Sequence, residues 1–189
     1  MICAFLGSNW YAVVATIALG ALTVAHIVYA FILTAQNRSA RGNERYAVNG
    51  SSPKVEWASK NMLVLGIIVL LGILLHLFNF WYNMMFAEIV GFEGKYSPTD
   101  GYSYIVETFK NPVFVVLYIV WLCAIWYHLS HGFWSAMQTL GINGKIWFKR
   151  WKMIGLVYTT LLMLGFLIVV LAFTFGCAPS LHSACCLIH

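Results

Sequence analysis

Four long apolar runs constrain what this chain can fold into more than any other feature of the sequence. The runs cover about residues 10–36 (run A), 61–83 (run B), 112–140 (run C) and 153–176 (run D). Each is long enough to cross a bilayer as a helix, which takes about 20 apolar residues. Only 9% of the residues are charged, whereas about a quarter are charged in soluble domains. The sequence therefore predicts an all-α integral membrane protein, one domain with four transmembrane helices.

The distribution of charges between the runs predicts the orientation of the chain. Basic residues predominate between runs A and B and between runs C and D, whereas acidic residues predominate between runs B and C. Because basic loops stay on the cytoplasmic side, we expect both termini and the B–C loop outside. The net charge of +5 thus reflects topology, and no nucleic-acid partner is expected. Within the B–C loop, residues 100–110 predict a short interfacial helix capped by Asp100.

Histidines lie inside three of the runs and are the candidate functional residues, because ionisable side chains within membrane helices are rare and usually functional. Run A carries His26, run B carries His76, and run C carries His128 and His131. With a rise of 1.5 Å per residue, His26 lies about 15 Å and His131 about 14 Å from the cytoplasmic ends of their runs. His128 lies at about 18 Å and His76 at about 22 Å. His26 and His131 therefore share one level, and His76 occupies a second level roughly 7–9 Å further out.

Two imidazoles at one depth on two helices can ligate the iron of a haem b from opposite sides, and haem b needs no cysteine. We take His131 as the partner of His26, with His128 as the alternative ligand. Gly132 and Ser135 lie close to His131 in the sequence and leave room for a flat ring. The competing interpretation is a haem-free membrane scaffold or small-solute transporter, in which the histidines hydrogen-bond neighbouring helices.

Several other kinds of chemistry are disfavoured by what the runs do not contain. Their interiors carry no Asp, Glu, Lys or Arg, which disfavours ion channels, voltage sensors and carboxylate proton relays. The sequence has no phosphate-binding loop, nucleophile elbow or H-E-x-x-H motif, and its five cysteines form no C-x-x-C motif. We therefore assign no catalytic residue for a polar substrate. Electron transfer with a redox-active lipid as partner is the remaining chemistry.

Three stretches of the chain resemble one known family. They are AHIVYAFILTAQNRSARG around His26, WASKNMLVLGIIVLLGILLHLFNFWYNMMF around His76 and YHLSHGFWSAMQTLGINGKIWFKRW around His131. They are similar to the cytochrome b subunit that anchors succinate dehydrogenase and fumarate reductase in the membrane, in its single-subunit, di-haem form from Bacteroidetes-like bacteria. The resemblance covers nearly the whole chain, from Phe5 to about Gly176.

The resemblance implies five membrane helices, two haem b groups stacked across a bacterial inner membrane, and flavoprotein and iron–sulfur subunits on the cytoplasmic face. It implies that His26 and His131 are the axial ligands of the inner haem, and that His76 and a histidine on the family's first helix hold the outer haem. It also implies that (mena)quinone exchanges electrons within the membrane. The anchor of a different di-haem quinol oxidoreductase is the alternative within this class.

The first of the family's five helices has no counterpart in this chain. His76 therefore lacks its expected partner, so the resemblance implies either one haem or two. We expect a longer reading frame upstream of Met1. The haem propionates would find hydrogen-bond donors near the cytoplasmic ends of the helices, and the candidate contacts are Arg38, Trp57, Lys60 and Gln138.

Overall fold

The computed structural model describes residues 9–41, 57–92, 94–142 and 144–176. Helices account for nearly all of this part of the chain, and no strand occurs within it. In chain order the elements are α1 (Trp10–Arg41), α2 (Trp57–Lys60), α3 (Met62–His76), a π-helical segment (Leu77–Phe86), α4 (Ala87–Val90), α5 (Gly101–Lys110), α6 (Pro112–Thr139) and α7 (Lys145–Thr174).

Four stretches are long and apolar enough to cross a membrane, so the prediction of an all-α integral membrane protein with four spanning helices is confirmed. They are Trp10–Ala40, Met62–Val90, Pro112–Thr139 and Lys145–Thr174. The second span runs without a break through α3, the π-helical segment and α4, and it ends well beyond run B. The fourth begins at Lys145, earlier than run D, because its basic first turns continue the helix instead of forming a loop.

Local sequence signals set where the two helices after the second span begin. Asp100 accepts a hydrogen bond from the backbone N–H of Ser103 (3.2 Å) and so caps α5. Asn111 accepts a hydrogen bond from the backbone N–H of Val113 (3.0 Å) at the start of α6. The next residue, Pro112, occupies the first turn of α6, where its missing N–H has no partner to lose.

The second span changes its helical geometry directly after His76. Leu77–Phe86 form a π-helix, a rare conformation that occurs frequently at functional sites. Asn83 helps to hold this segment, since its side-chain amide donates to the carbonyls of Phe78 (3.0 Å) and Asn79 (3.1 Å). The segment therefore carries amide groups inside an otherwise apolar span.

The best-packed part of the bundle lies where α3, α6 and α7 meet α5. Its core of buried side chains consists of Phe109, Val115, Tyr118, Leu122, Met163 and Val170. α3 and α6 approach closely at Gly72, where a Cβ would overlap the ring of Trp121. The indole N–H of Trp121 also donates to the carbonyl of Val69 (3.0 Å). α6 and α7 approach at Gly155, where a Cβ would lie 2.6 Å from Cδ1 of Phe133.

α1 packs less closely than the other three spanning helices. Its most apolar stretch contains no buried residue. The hydroxyl of Thr16 lies 3.5 Å from the sulfur of Met85, and the ring of His26 lies near that of His128. A helix that is apolar on all sides is suited to contact with lipid, so α1 rests on the bundle mainly through these few side chains.

Candidate functional site

His26 of α1 and His128 of α6 form the closest approach between two histidine rings that the structure records. Their ring centroids are 6.2 Å apart and the ring planes are inclined by 81°. A metal–imidazole bond is about 2 Å long, so two imidazoles on opposite sides of one metal atom have centroids about 6 Å apart. The spacing of this pair therefore fits two axial ligands of one haem iron.

The surroundings of His128 also point to a ligand-binding role. Its ring faces Gly66 of α3, where a Cβ would lie 3.6 Å from Cε1 and 4.0 Å from Nδ1. Nδ1 is buried and has no hydrogen-bond partner among the residues that the structure describes. An unsatisfied buried polar atom is costly, and such atoms in a native protein call for a functional explanation.

A haem iron needs fewer protein ligands than a bare metal ion does. Within the described ranges, no group of three or more His, Cys, Asp or Glu side chains is placed to hold a metal. A porphyrin supplies the remaining iron ligands itself, so two histidines suffice. His26 and His128 come from different helices, and the distance between their ring centroids agrees with this arrangement.

His131, the predicted partner of His26, has its ring 4.7 Å from that of Trp134. Trp134 in turn lies under the ammonium group of Lys152 from α7, 4.9 Å from the ring centroid. The structure records a ring contact of His26 with His128, the alternative ligand, so both histidines of α6 stay candidate partners of His26.

The separation between the two histidine levels is also larger than the depth count predicts. His128 lies level with Gly66 of α3, and His76 follows Gly66 by ten residues on the same span. At 1.5 Å per residue this is about 15 Å along the helix. The count assumed that all helices begin at one level, whereas α6 continues past α3 on the side of the A–B and C–D loops.

His76 lines an apolar cavity of about 610 Å³ between the π-helical segment, α5, α6 and α7. Aromatic rings surround its imidazole, with centroids 5.0 Å away in Phe80, 5.5 Å in Trp121 and 6.1 Å in Tyr118. Among the described residues that line the cavity, no second histidine occurs. Of the two histidine ligands that a second haem would need, the described lining of this cavity therefore supplies one, His76.

A polar pocket of about 470 Å³ lies on the other side of Tyr118. Its lining includes Asn79, Asn83, Lys95, Glu107, Lys110 and Asn111. The side-chain amide of Asn79 donates to the hydroxyl of Tyr118 across a distance of 3.4 Å. Tyr118 lines the apolar cavity and Asn79 lines the polar pocket, so this hydrogen bond joins the two spaces.

An exposed ion pair forms part of the wall of the polar pocket. The Nζ of Lys95 lies 2.6 Å from Oε1 of Glu107, and the hydroxyl of Tyr96 donates to Oε2 at 3.3 Å. The hydrogen bond from Lys95 lowers the pKa of Glu107, and the hydrogen bond to Glu107 raises the pKa of Lys95. The pair ties the connection after α4 to α5.

The four candidate propionate contacts lie at the ends of helices. The ring of Trp57 in α2 lies 5.3 Å from that of Tyr127, the residue before His128 in the sequence. The other three lie in the last turns of α1, α2 and α6; they are Arg38, Lys60 and Gln138.

Sequence reasoning missed the two residues that join the apolar cavity to the polar pocket. Tyr118 is one aromatic residue among many in run C and carries no pattern that marks it. Asn79 was more visible, because an amide inside an apolar run must find a hydrogen-bonding partner. Asn79 and Asn83 are spaced four residues apart, and this spacing was the available signal.

The comparisons with known proteins give no further guidance. No protein-family description, no characterised protein and no solved structure matches this chain.

Proposed function

We propose that the chain is the haem b membrane anchor of a succinate dehydrogenase or fumarate reductase complex, passing electrons between an iron–sulfur subunit and quinone. The observation that carries the proposal is the His26–His128 pair, with ring centroids 6.2 Å apart on two spanning helices. The four spans give the membrane setting that such an anchor requires. The resemblance of the histidine-bearing stretches to this family supports the same assignment.

His26 and His128 would be the axial ligands, with His131 as the alternative to His128. When bound, haem b supplies one-electron chemistry between partner and quinone. The chain's own part is to hold two imidazoles at a fixed separation. For His128, packing against α3 at Gly66 contributes to this, since the ring lies at ordinary contact distance from a Cβ placed there.

One haem, and not two, is the composition we propose for this chain. The cavity beside His76 has no second histidine among its described lining residues. His76 would be the outer axial ligand only if a further helix supplied the partner. In the same proposal, the flavoprotein and iron–sulfur subunits dock on the face that carries the basic ends of the helices. That face is cytoplasmic in a bacterial inner membrane, with both termini on the opposite side.

The test is a reduced-minus-oxidised absorption spectrum of the purified full chain and of four alanine variants. We expect a b-type band in the parent, its loss in His26→Ala and His128→Ala, and its retention in His76→Ala. His131→Ala decides between the two histidines of α6: the band is retained if His128 is the axial ligand and lost if His131 is. Met137→Ala, a change in the same helix away from the pair, is the control.

A parent protein without a b-type band would rule out the haem anchor. A band that survives both His26→Ala and His128→Ala would show that the pair does not ligate the iron. In the first case the haem-free scaffold is the function that remains, and co-purification of soluble subunits then identifies what it holds.

A further inference from the structure

We propose that the apolar cavity beside His76 binds the head group of a quinone, with the Tyr118 hydroxyl donating a hydrogen bond to a quinone carbonyl and Asn79 orienting that hydroxyl. The inference rests on the proposed function for the identity of the electron partner. It adds the location of the ligand, its hydrogen-bond donor and its connection to water.

The size and lining of the cavity suit a flat, mostly apolar ligand. Its volume of about 610 Å³ falls within the range of small-molecule sites, roughly 300–1,000 Å³. Aromatic side chains provide most of the wall near His76, and few polar groups face inward. Such a lining binds a ring by stacking and burial, and it leaves recognition to one or two hydrogen bonds.

The cavity is reachable from the bilayer. The cavity is partly open, and Phe166 and Val169 of α7, which line it, are 52% and 43% exposed. A ligand with a long isoprenoid tail can therefore enter between these side chains and leave the tail in the lipid. A water-soluble ligand would have no reason to use this route.

The Tyr118 hydroxyl has a hydrogen to donate. The amide N–H of Asn79 already donates to the Tyr118 oxygen, so the phenolic hydrogen must point elsewhere. Within the described part of the chain, no acceptor for it is found. The ring itself is held edge-to-face by Phe109 (5.2 Å) and Trp121 (5.7 Å), and Tyr118 is 4% exposed. A buried donor fixed in this way, on the wall of a cavity, selects a ligand that carries an acceptor oxygen.

The polar pocket gives the quinone oxygen access to protons. Reduction of a quinone adds two electrons and two protons, forms an O–H bond at each carbonyl oxygen and makes the ring aromatic; oxidation of the quinol is the reverse. The electrons would be exchanged with the haem that His26 and His128 hold in the proposed anchor. The protons are exchanged with water of the pocket that Lys95 and Glu107 border, while the amide of Asn79 orients the Tyr118 hydroxyl and keeps its own hydrogens.

The binding test uses the full chain in phosphatidylcholine vesicles and a fluorescent alkyl-hydroxyquinoline N-oxide, which is a quinol analogue. We expect Tyr118→Phe to weaken analogue binding by roughly three- to tenfold, because it removes one hydrogen bond and keeps the ring. The matched control is Tyr102→Phe, which removes a hydroxyl from the same cavity wall and should change the affinity less than twofold.

Asn79 is a positioning residue, and its test must show more than a general loss of structure. Asn79→Asp would reverse the hydrogen bond, because a carboxylate accepts the phenolic hydrogen that the ligand needs. We expect analogue binding to weaken as the pH rises and that carboxyl ionises, whereas Asn79→Leu should weaken binding equally at every pH.

In the reconstituted complex, Tyr118→Phe should slow quinol oxidation by roughly a hundredfold with an unchanged haem band.

The outcomes separate this inference from the proposed function. Equal analogue affinity in the parent and Tyr118→Phe would overturn the inference. So would two haems per chain with one lost in His76→Ala, because the cavity would then hold haem. If analogue binding depends on Tyr118 but no b-type band is present, the haem anchor fails and the binding site stands.

Discussion

The helices around His128 pack less closely than those around His76. Among the described residues, no atom beyond the two neighbouring residues and the helix's own backbone lies within 4 Å of where a Cβ on Gly132 would be, and the ring of His128 meets only an ordinary contact at Gly66. Near His76, α5 lies across the π-helical segment, α6 and α7, and the Trp121 ring fills the position of a Cβ on Gly72. One site lies beside α1, a helix with few contacts, and the other is a partly open cavity whose walls are closely packed.

This difference in packing indicates how much each site depends on its ligand for a fixed arrangement of helices. The histidine pair depends on α1, a helix with no buried residue in its most apolar stretch. A ligand that bridges His26 and His128 would add to the few contacts that hold α1, and binding to the folded form stabilises it. The cavity beside His76 is already shaped by the chain's own packing, so its ligand needs no rearrangement of helices.

The largest expected effect on stability comes from adding one methyl group at Gly72, where α3 and α6 are in close contact. Gly72→Ala forces the Trp121 ring away from α3 and strains its hydrogen bond to Val69. We expect a loss of about 1–3 kcal/mol in the free energy of unfolding, as for other overpacked cores. Chemical unfolding of the detergent-solubilised protein measures this loss.

Gly132→Ala is the matched control on the open side. In the described part of the chain, the added methyl meets no atom of another helix within 4 Å, and alanine is the better helix former by about 0.5–1 kcal/mol. We therefore expect the stability to stay constant or rise slightly. A Gly132→Ala variant destabilised as much as Gly72→Ala would mean that the two regions are packed alike.

The spanning helices could be predicted from the sequence because the thickness of the bilayer sets the length of an apolar helix. The cap at Asp100 could be predicted because its mechanism is local and involves only the next three residues. Both features depend on neighbours in the sequence, not on the arrangement of helices.

The histidine pairing and the cavity could not be predicted in the same way. Gly66 lies about one turn from the start of α3, whereas His128 lies about three turns from the end of α6. This offset between the helices shifts every depth that is counted from a predicted end. The cavity depends on the π-helical segment and on where α5 rests, and neither leaves a periodic pattern in the sequence.

A smaller effect is expected at the helix that covers the cavity. Asp100→Ala removes the cap of α5, and we expect a loss of about 1 kcal/mol in local stability. Asp100→Asn is the conservative control, because asparagine caps a helix about as well. Hydrogen exchange of the Ser103 amide, which donates to Asp100 at 3.2 Å, should become faster in the alanine variant alone. Equal exchange in both variants would show that the cap does not hold α5.

The smallest effect is expected at the exposed Lys95–Glu107 ion pair. Because the pKa of Glu107 is lowered, its contribution is complete above the ordinary pKa of 4.5 and is lost as the pH falls through the lower value in the folded protein. Because the pKa of Lys95 is raised, its contribution is complete below the ordinary value of 10.5 and is lost as the pH rises through the higher value in the folded protein. The tether between this connection and α5 is therefore strongest between those limits, and salt weakens it because both side chains are exposed.

The measurement is hydrogen exchange of the Tyr96 amide in the parent and in Glu107→Gln, at neutral pH and at about pH 3, with intrinsic exchange rates corrected for pH. We expect Glu107→Gln to speed exchange at neutral pH in low salt, and to have little effect in acid or in high salt, where the parent pair is already weakened. Glu88→Gln is the control, since Glu88 makes no ion pair within the described residues. If Glu107→Gln leaves exchange unchanged at neutral pH and low salt, the ion pair does not tether the wall of the polar pocket. The packing of α5 on α6 and α7 would then hold that wall by itself, and the contrast between the closely packed cavity wall and the loosely packed α1 would rest on apolar contacts alone.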